Sequence, residues 1–123
     1  MTTRIIQWSS GNVGKGVIRT IARRPELELA GLYVYSPDKA GADVGEILGG
    51  ETMGISASND LDEMLALEAD VVIHTPLPSL VYGENPDADI DTICALLASG
   101  KNVITTVGYM YPKVYGPELV GKL

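Results

Sequence analysis

The stretch Ser9-Ser10-Gly11-Asn12-Val13-Gly14 lies between a short β-rich run, Ile5-Ile6-Gln7-Trp8, and a segment of helical periodicity. Residues of these types at this place suit the cradling of a phosphate chain. Such a cradle uses glycine in three roles: a tight turn, a close approach of backbone to pyrophosphate, and close packing of helix on strand. The exposed N–H groups and the helix dipole then hold the anion. Gly11 and Gly14 stand at the second and third of these positions, and Ser9 stands at the first. A serine there is expected to turn with negative φ. A bare G-x-x-G recurs by chance in many chains, and what gives this one weight is its place after the first strand and at the opening of the first helix. Gly11, Asn12 and Val13 are the expected pyrophosphate contacts, framed by Ser9 and Gly14. The competing reading is a plain strand-to-helix turn that uses glycine for packing.

A dinucleotide site of this kind predicts an acid about 20 residues on, at the end of the second strand, to bind the ribose 2′-OH of NAD. That place holds Tyr35-Ser36-Pro37-Asp38-Lys39, with no carboxylate at the strand end itself. Ser36 and Lys39 are suited to a 2′-phosphate, with Lys39 as the charge. NADP is therefore the expected cofactor, and the nearby Asp38 keeps NAD open. The bland reading of Lys39 is a solvated loop lysine. Thr75-Pro76 and Thr105-Thr106-Val107 end the two strongest later strands. Thr75, Pro76, Thr106 and Val107 are thus expected to border the cleft, or else simply to terminate strands. His74 precedes them, either lining the site or serving as a structural residue of an apolar strand. Cys94 reads as a small buried hydrophobe. No nucleophile–base pair is recognisable, so no catalytic residue is assigned.

These residues need elements to position them. Val13, Val17, Ile21 and Ala22 share one helical face, with Arg23 and Arg24 in the last turn and Pro25 as the stop. Leu29 to Tyr35 reads as a second strand, apolar enough to be covered on both faces. Ser36 to Met53 is a glycine-rich loop with a helical turn around Val44 to Leu48, and Gly54 to Ser58 is a short third strand. Asp60 and Glu63 stand at capping-box spacing before a short helix that ends near Glu68. Asp70 to Thr75 is a strand, broken by Pro76 and Pro78. Asn85 and Pro86 open a helix with Ile90, Ile93 and Leu97 as its apolar face and Gly100 as its stop. Lys101 to Thr106 is a fifth strand, and Gly116-Pro117-Glu118 opens a last helix. Alternating strands and helices predict an α/β fold, a doubly wound parallel sheet of about five strands.

The 123 residues are 46% apolar and 20% charged, which is enough for a packed core in one domain. A net charge of −7 argues against nucleic acid or an anionic membrane as partner. One cysteine and one histidine exclude a disulfide framework and a Cys/His metal cluster, so no metal is expected. No apolar run approaches the ~20 residues of a membrane-spanning helix. A cytoplasmic protein with a small-molecule substrate is the default expectation.

The opening Ile5-Ile6-Gln7-Trp8-Ser9-Ser10-Gly11-Asn12-Val13-Gly14 and the loop Ser36-Pro37-Asp38-Lys39-Ala40-Gly41-Ala42-Asp43-Val44-Gly45 resemble the N-terminal half of a bacterial family. Its members are similar to dihydrodipicolinate reductase and include 2,4-diaminopentanoate dehydrogenase and the native amine dehydrogenases. The resemblance continues through Val103 to Tyr109, Tyr111-Pro112 and Gly116 to Leu119. It implies an NAD(P)-dependent oxidoreductase acting on an imine, amine or carbonyl substrate. It also implies a Rossmann-type domain first and a substrate and oligomerisation domain after it, hence a homo-oligomer. On that footing residues 1–123 are the NAD(P)-binding domain alone, truncated before the second domain. The family usually carries W-G-T-G-N-V-G, and this chain has Ser9 at the first glycine. Relatives that act on amines carry a carboxylate just after the fifth strand, where Val107-Gly108-Tyr109 has none. Two other functions remain open: a dinucleotide-sensing or regulatory module without catalysis, and an inactive fragment that associates through an exposed sheet edge.

Overall fold

The computed structural model describes residues 2–76 and 87–106. Four strands form one parallel sheet: β1 (Thr3–Trp8), β2 (Leu27–Tyr33), β3 (Val71–His74) and β4 (Asn102–Thr105). Their order is β2-β1-β3-β4. The chain therefore runs outward from β1 to β2, then returns past β1 to β3 and β4. The reversal falls between β1 and β3, and in open α/β sheets the crevice outside the carboxyl ends at such a point is where ligands bind.

Helix α1 (Asn12–Ala22) connects β1 to β2. Two short helices, α2 (Val44–Leu48) and α3 (Leu61–Ala66), lie between β2 and β3, and α4 (Ala88–Ala98) precedes β4. One core layer joins Ile18 and Ile21 of α1 to Ile5, Leu29, Leu32 and Val44. The other packs Met64 of α3 and Leu96 of α4 against Ile6, Trp8 and Val72. Both faces of the sheet thus carry helices, as a parallel sheet requires.

A register shift between Ile5 and Ile6 interrupts the pairing of β1 with β2, where Leu29 pairs with Ile5 and Gly31 with Ile6. The unpaired Ala30 is a bulge, and it resets which side chains share a face. Beyond it Tyr33 stands beside Trp8, and their rings stack at 4.0 Å with an 11° interplanar angle.

Several expectations shift. The buried face of α1 is Gly14, Ile18 and Ile21, with Val17 partly covered, while Val13 is 59% exposed and Ala22 is exposed. The spacing was right to within one residue, and the helix rotates to set Gly14 against the β1 turn. Strand β2 starts and ends two residues early, because its partner β1 stops at Trp8. Gly54 to Ser58 forms single bridges, Ser58 to Tyr33 and Ser56 to Asp43, rather than a strand, so the described sheet has four strands. In α4 it is Leu96 that is buried, and Leu97 is 47% exposed. Both are leucine, so the apolar spacing could not choose between them. Cys94 is partly buried, beside Ile90 and Ile93. The helix opening at Asn85-Pro86, the Pro78 break, Val107 and the helix at Gly116 lie outside the described residues.

Candidate nucleotide site

Three strand ends meet at the switch point. Thr75 N donates to Trp8 O at 3.1 Å and Thr106 N donates to His74 O at 3.0 Å, so the segments after β1, β3 and β4 are stepped side by side. Of the residues expected at the cleft, Ser9, Gly11, Asn12, Val13, Gly14, Thr75, Pro76 and Thr106 lie at this edge; Val107 is outside the described residues.

Ser9 has φ 86°, in the left-handed region that favours glycine, rather than the expected negative φ. It is the one described non-glycine residue in that region. The turn geometry therefore keeps the form of a glycine turn, and the side chain is accommodated within it.

Gly11 is the N-cap of α1, with φ −69°, and no side chain caps the helix. Nor does an acidic residue occupy its first turn. The other described helices differ. Asp43 caps α2, Asp60 caps α3, and α4 carries Asp89 and Asp91 in its first turn. An N-terminus free of carboxylates leaves its N–H groups and positive dipole end available to an anion. The space around Gly11 is open: a Cβ built there meets no atom within 4 Å. Gly14 is the opposite case, since its Cβ would overlap the Ser9 carbonyl oxygen and lie 2.7 Å from Gln7 Nε2. Gly11 thus leaves space outside the turn, and Gly14 permits close packing beneath it.

The loop after β2 folds back over the turn. Lys39 Nζ donates to Ser10 Oγ at 3.0 Å, and Lys39 N donates to Ser36 O at 3.1 Å. Among the described residues the ion pairs are Arg4–Glu28 and Arg24–Glu26, so Lys39 brings an ammonium to the turn without a carboxylate on it. Asp43 organises the rest of the loop. Its carboxylate accepts from the N–H groups of Gly45, Met53, Gly54 and Ile55 at 2.8–3.2 Å. The Met53 N–H above all holds the Asp43 carboxyl below its ordinary range, with Gly45, Gly54 and Ile55 adding to it and partial burial opposing. A Cβ on Gly45 would overlap the Glu51 carbonyl oxygen. The Asp and Gly of the Asp43-Val44-Gly45 motif therefore build the loop rather than contact a ligand.

His74 does not line the cleft as an accessible acid. It is fully buried, tilted against Trp8, and its Nδ1 hydrogen-bonds Thr105 Oγ1 at 2.9 Å. Burial pulls its pKa down to about 4 against the opposing pull of the Asp89 charge, so the ring is neutral at pH 7.

Sequence reasoning missed Gln7. Its side chain is completely buried, and Nε2 donates to Ser9 O at 2.9 Å, Trp8 O at 3.1 Å and Thr75 Oγ1 at 2.8 Å. The signal was available, because Gln7 is the one polar residue of Ile5-Ile6-Gln7-Trp8.

A parallel sheet with a glycine turn, an open helix N-terminus and a cation over them defines a nucleotide-binding domain of Rossmann type. The sequence matches the family described as dihydrodipicolinate reductase, N-terminus, over residues 5–108. The chain belongs to that family. An amine dehydrogenase of Streptomyces virginiae is 30% identical over 107 residues, covering 85% of this chain and 28% of that protein. A 4-hydroxy-tetrahydrodipicolinate reductase of Synechococcus elongatus is 30% identical over 105 residues, covering 85% of this chain and 37% of the relative. The chain thus spans about a third of the length of the curated relatives it matches. In three dimensions it is similar to the amine dehydrogenase of Mycobacterium smegmatis, with a TM-score of 0.81 at 23% identity, over 99% of this chain and 35% of that one. That likeness shows the fold. Fold and family together make the chain a pyridine-nucleotide domain of the dihydrodipicolinate reductase family.

Proposed function

We propose that the chain is the cofactor domain of an NADP(H)-dependent oxidoreductase that reduces or oxidises a small imine, amine or carbonyl compound. The observation that carries this reading is the α1 N-terminus, which alone among the described helices has neither a capping side chain nor an acid in its first turn, with the open Gly11 at its cap. The bound nicotinamide would supply hydride transfer. The chain's own residues bind and orient. The N–H groups of Gly11, Asn12 and Val13 face the pyrophosphate, and Gly14 lets α1 sit close enough to present them. Lys39, with Ser36, favours the 2′-phosphate of the phosphorylated cofactor. Thr75, Pro76 and Thr106, at adjacent strand ends, line the path toward the nicotinamide, with Val107 following.

Gly11→Val tests the site. The position has room for a side chain and a φ that valine adopts, so the fold should be unaffected. The branched side chain would stand where the pyrophosphate must approach. NADPH affinity by calorimetry should fall at least tenfold while the unfolding midpoint stays within a degree or two, roughly the range of a neutral surface change. Equal NADPH affinity in the variant and the parent chain would move the site elsewhere.

A further inference from the structure

The first position of a phosphate-binding glycine turn takes glycine because the backbone there needs positive φ. Ser9 has that φ and a side chain as well. A non-glycine residue persists in such a conformation only when its surroundings over-determine it.

The geometry points to Gln7 as the residue that does so: its side-chain amide clamps Ser9 in the left-handed conformation and stands in for the missing first glycine. The φ and ψ of Ser9 set the angle between two peptide planes, one before it and one after it. Gln7 Nε2 touches both, donating to Trp8 O on the first at 3.1 Å and to Ser9 O on the second at 2.9 Å. The first plane is fixed further by Ser9 N donating to Tyr33 O at 2.9 Å and by Thr75 N donating to Trp8 O at 3.1 Å. A swing of Ser9 to negative φ would carry its carbonyl off the amide. The clamp itself is held from the far side by Thr75 Oγ1, 2.8 Å from Nε2.

The amide is retained for its donor. Three oxygen acceptors surround one end of it, which identifies that end as nitrogen. Oε1 is buried with no partner among the described residues, so its desolvation is offset only at the nitrogen end. Gly14 belongs to the same arrangement, because a Cβ there would lie 2.7 Å from Nε2. Gln7 is thus a positioning residue. Fully buried, it orients the Ser9-Ser10-Gly11 backbone that the proposed pyrophosphate site uses, a role that rests on the cofactor reading above.

The test is a double-mutant cycle in the 123-residue chain: parent, Gln7→Met, Ser9→Gly and both together, each followed by urea unfolding. Bonds from Gln7 that are unrelated to Ser9 are lost equally in both backgrounds and cancel. Gln7→Met should lower the folding equilibrium constant about tenfold more when residue 9 is serine than after Ser9→Gly. Equal losses, within about twofold, would overturn the clamp. Should Gln7→Met not fold with serine present but fold after Ser9→Gly, that rescue supports it. Should it fold in neither background, Thr75→Val, which removes the outer anchor of the amide together with the Thr75 Oγ1 bond to Trp8 O, takes its place, with a larger loss beside serine expected and equal losses overturning. NADPH titration then reads the positioning role. Affinity should fall about tenfold in Gln7→Met and recover to within about threefold in the double variant. Unchanged affinity in Gln7→Met would overturn the positioning role. If the parent chain itself does not bind NADPH, the cofactor reading fails, and the unfolding cycle still decides the clamp.

Discussion

Lys39 has its head held at the turn. Its donation to Ser10 Oγ fixes the ammonium beside the turn, and no carboxylate among the described residues neutralises it there. A charge-assisted contact to a phosphate is worth roughly 1.5–3 kcal/mol. Lys39→Ala should therefore lower the ratio of NADPH to NADH affinity about tenfold, read by paired titrations. An unchanged ratio would show a lysine that only hydrogen-bonds Ser10. His74 carries a different consequence. Its proton binds near the ordinary value of 6.5 in the unfolded chain and only near 4 in the folded one, because of burial. Between those values the unfolded state binds more protons, so this contribution to stability is full above about pH 6.5 and drains away as pH falls toward 4. The whole effect is on the order of 3 kcal/mol. Urea unfolding at pH 7.5 and 4.5 should show the parent chain losing more stability than His74→Asn, the carboxylates being common to both. Equal losses would mean that the ring takes its proton without disturbing the fold. At this scale the glycine turn between β1 and α1 was legible, with Gly14 at the position of close packing. The backbone conformation of Ser9 was not, because positive φ leaves a mark in sequence only when glycine fills it. Gln7 escaped for a related reason: a polar residue in a strand announces a partner without saying which one.

Among the elements, the loop between β2 and β3 shows how a motif can be structural. Asp43 gathers four backbone N–H groups that would otherwise lack partners, and Gly45 allows the chain at Glu51 to cross closely. The carboxylate form does the gathering, so this support is present at neutral pH and is lost as pH falls through the lowered pKa of Asp43. Asp43→Asn offers one acceptor oxygen in place of two. Amide hydrogen exchange at Gly45, Met53, Gly54 and Ile55 should be faster in that variant at pH 7, and the difference should shrink under acid conditions. Unchanged protection at pH 7 would show that the loop holds without the clamp. The Asp60–Glu63 spacing was read correctly as a helix start, yet the box closes through a third residue. Asp60 accepts from Asp62 N at 3.0 Å, while Glu63 accepts from Ser58 Oγ, which in turn accepts from Asp60 N. Apart from the strand expected at Gly54 to Ser58, which is only a pair of single bridges, the four strands of the sheet and the helices between them were legible from periodicity to within about two residues. The buried face within them was less so, since Leu96 and Leu97 are chemically the same and only the packing on Ile6, Trp8 and Val72 separates them.

For the whole molecule, alternation of strands and helices was enough to give a parallel, doubly wound sheet. It could not give the order β2-β1-β3-β4, because the return of the chain past β1 depends on which strand edge remains open after β2 has paired. That order makes the cleft, and it also bears on what the cleft can do. Hydride transfer needs the reacting partner held within about 3–3.5 Å of the nicotinamide and correctly oriented. The described residues at the mouth, Ser9, Thr75, Pro76 and Thr106, supply hydroxyls and backbone but no ionisable group, and His74 is buried and neutral. The relatives devote most of their length to sequence beyond the matched region, which covers 28% of one and 37% of another. A polypeptide of residues 1–123 is accordingly expected to bind NADPH without oxidising it. The measurement is NADPH absorbance decay with the purified chain against ketones, imines and cyclic imines, alongside a chain extended to the length of its relatives. Turnover by the short chain comparable to that of the long one would overturn the expectation. Loss of that turnover in His74→Asn would then make the buried ring the proton donor, reached through motion that opens the strand ends.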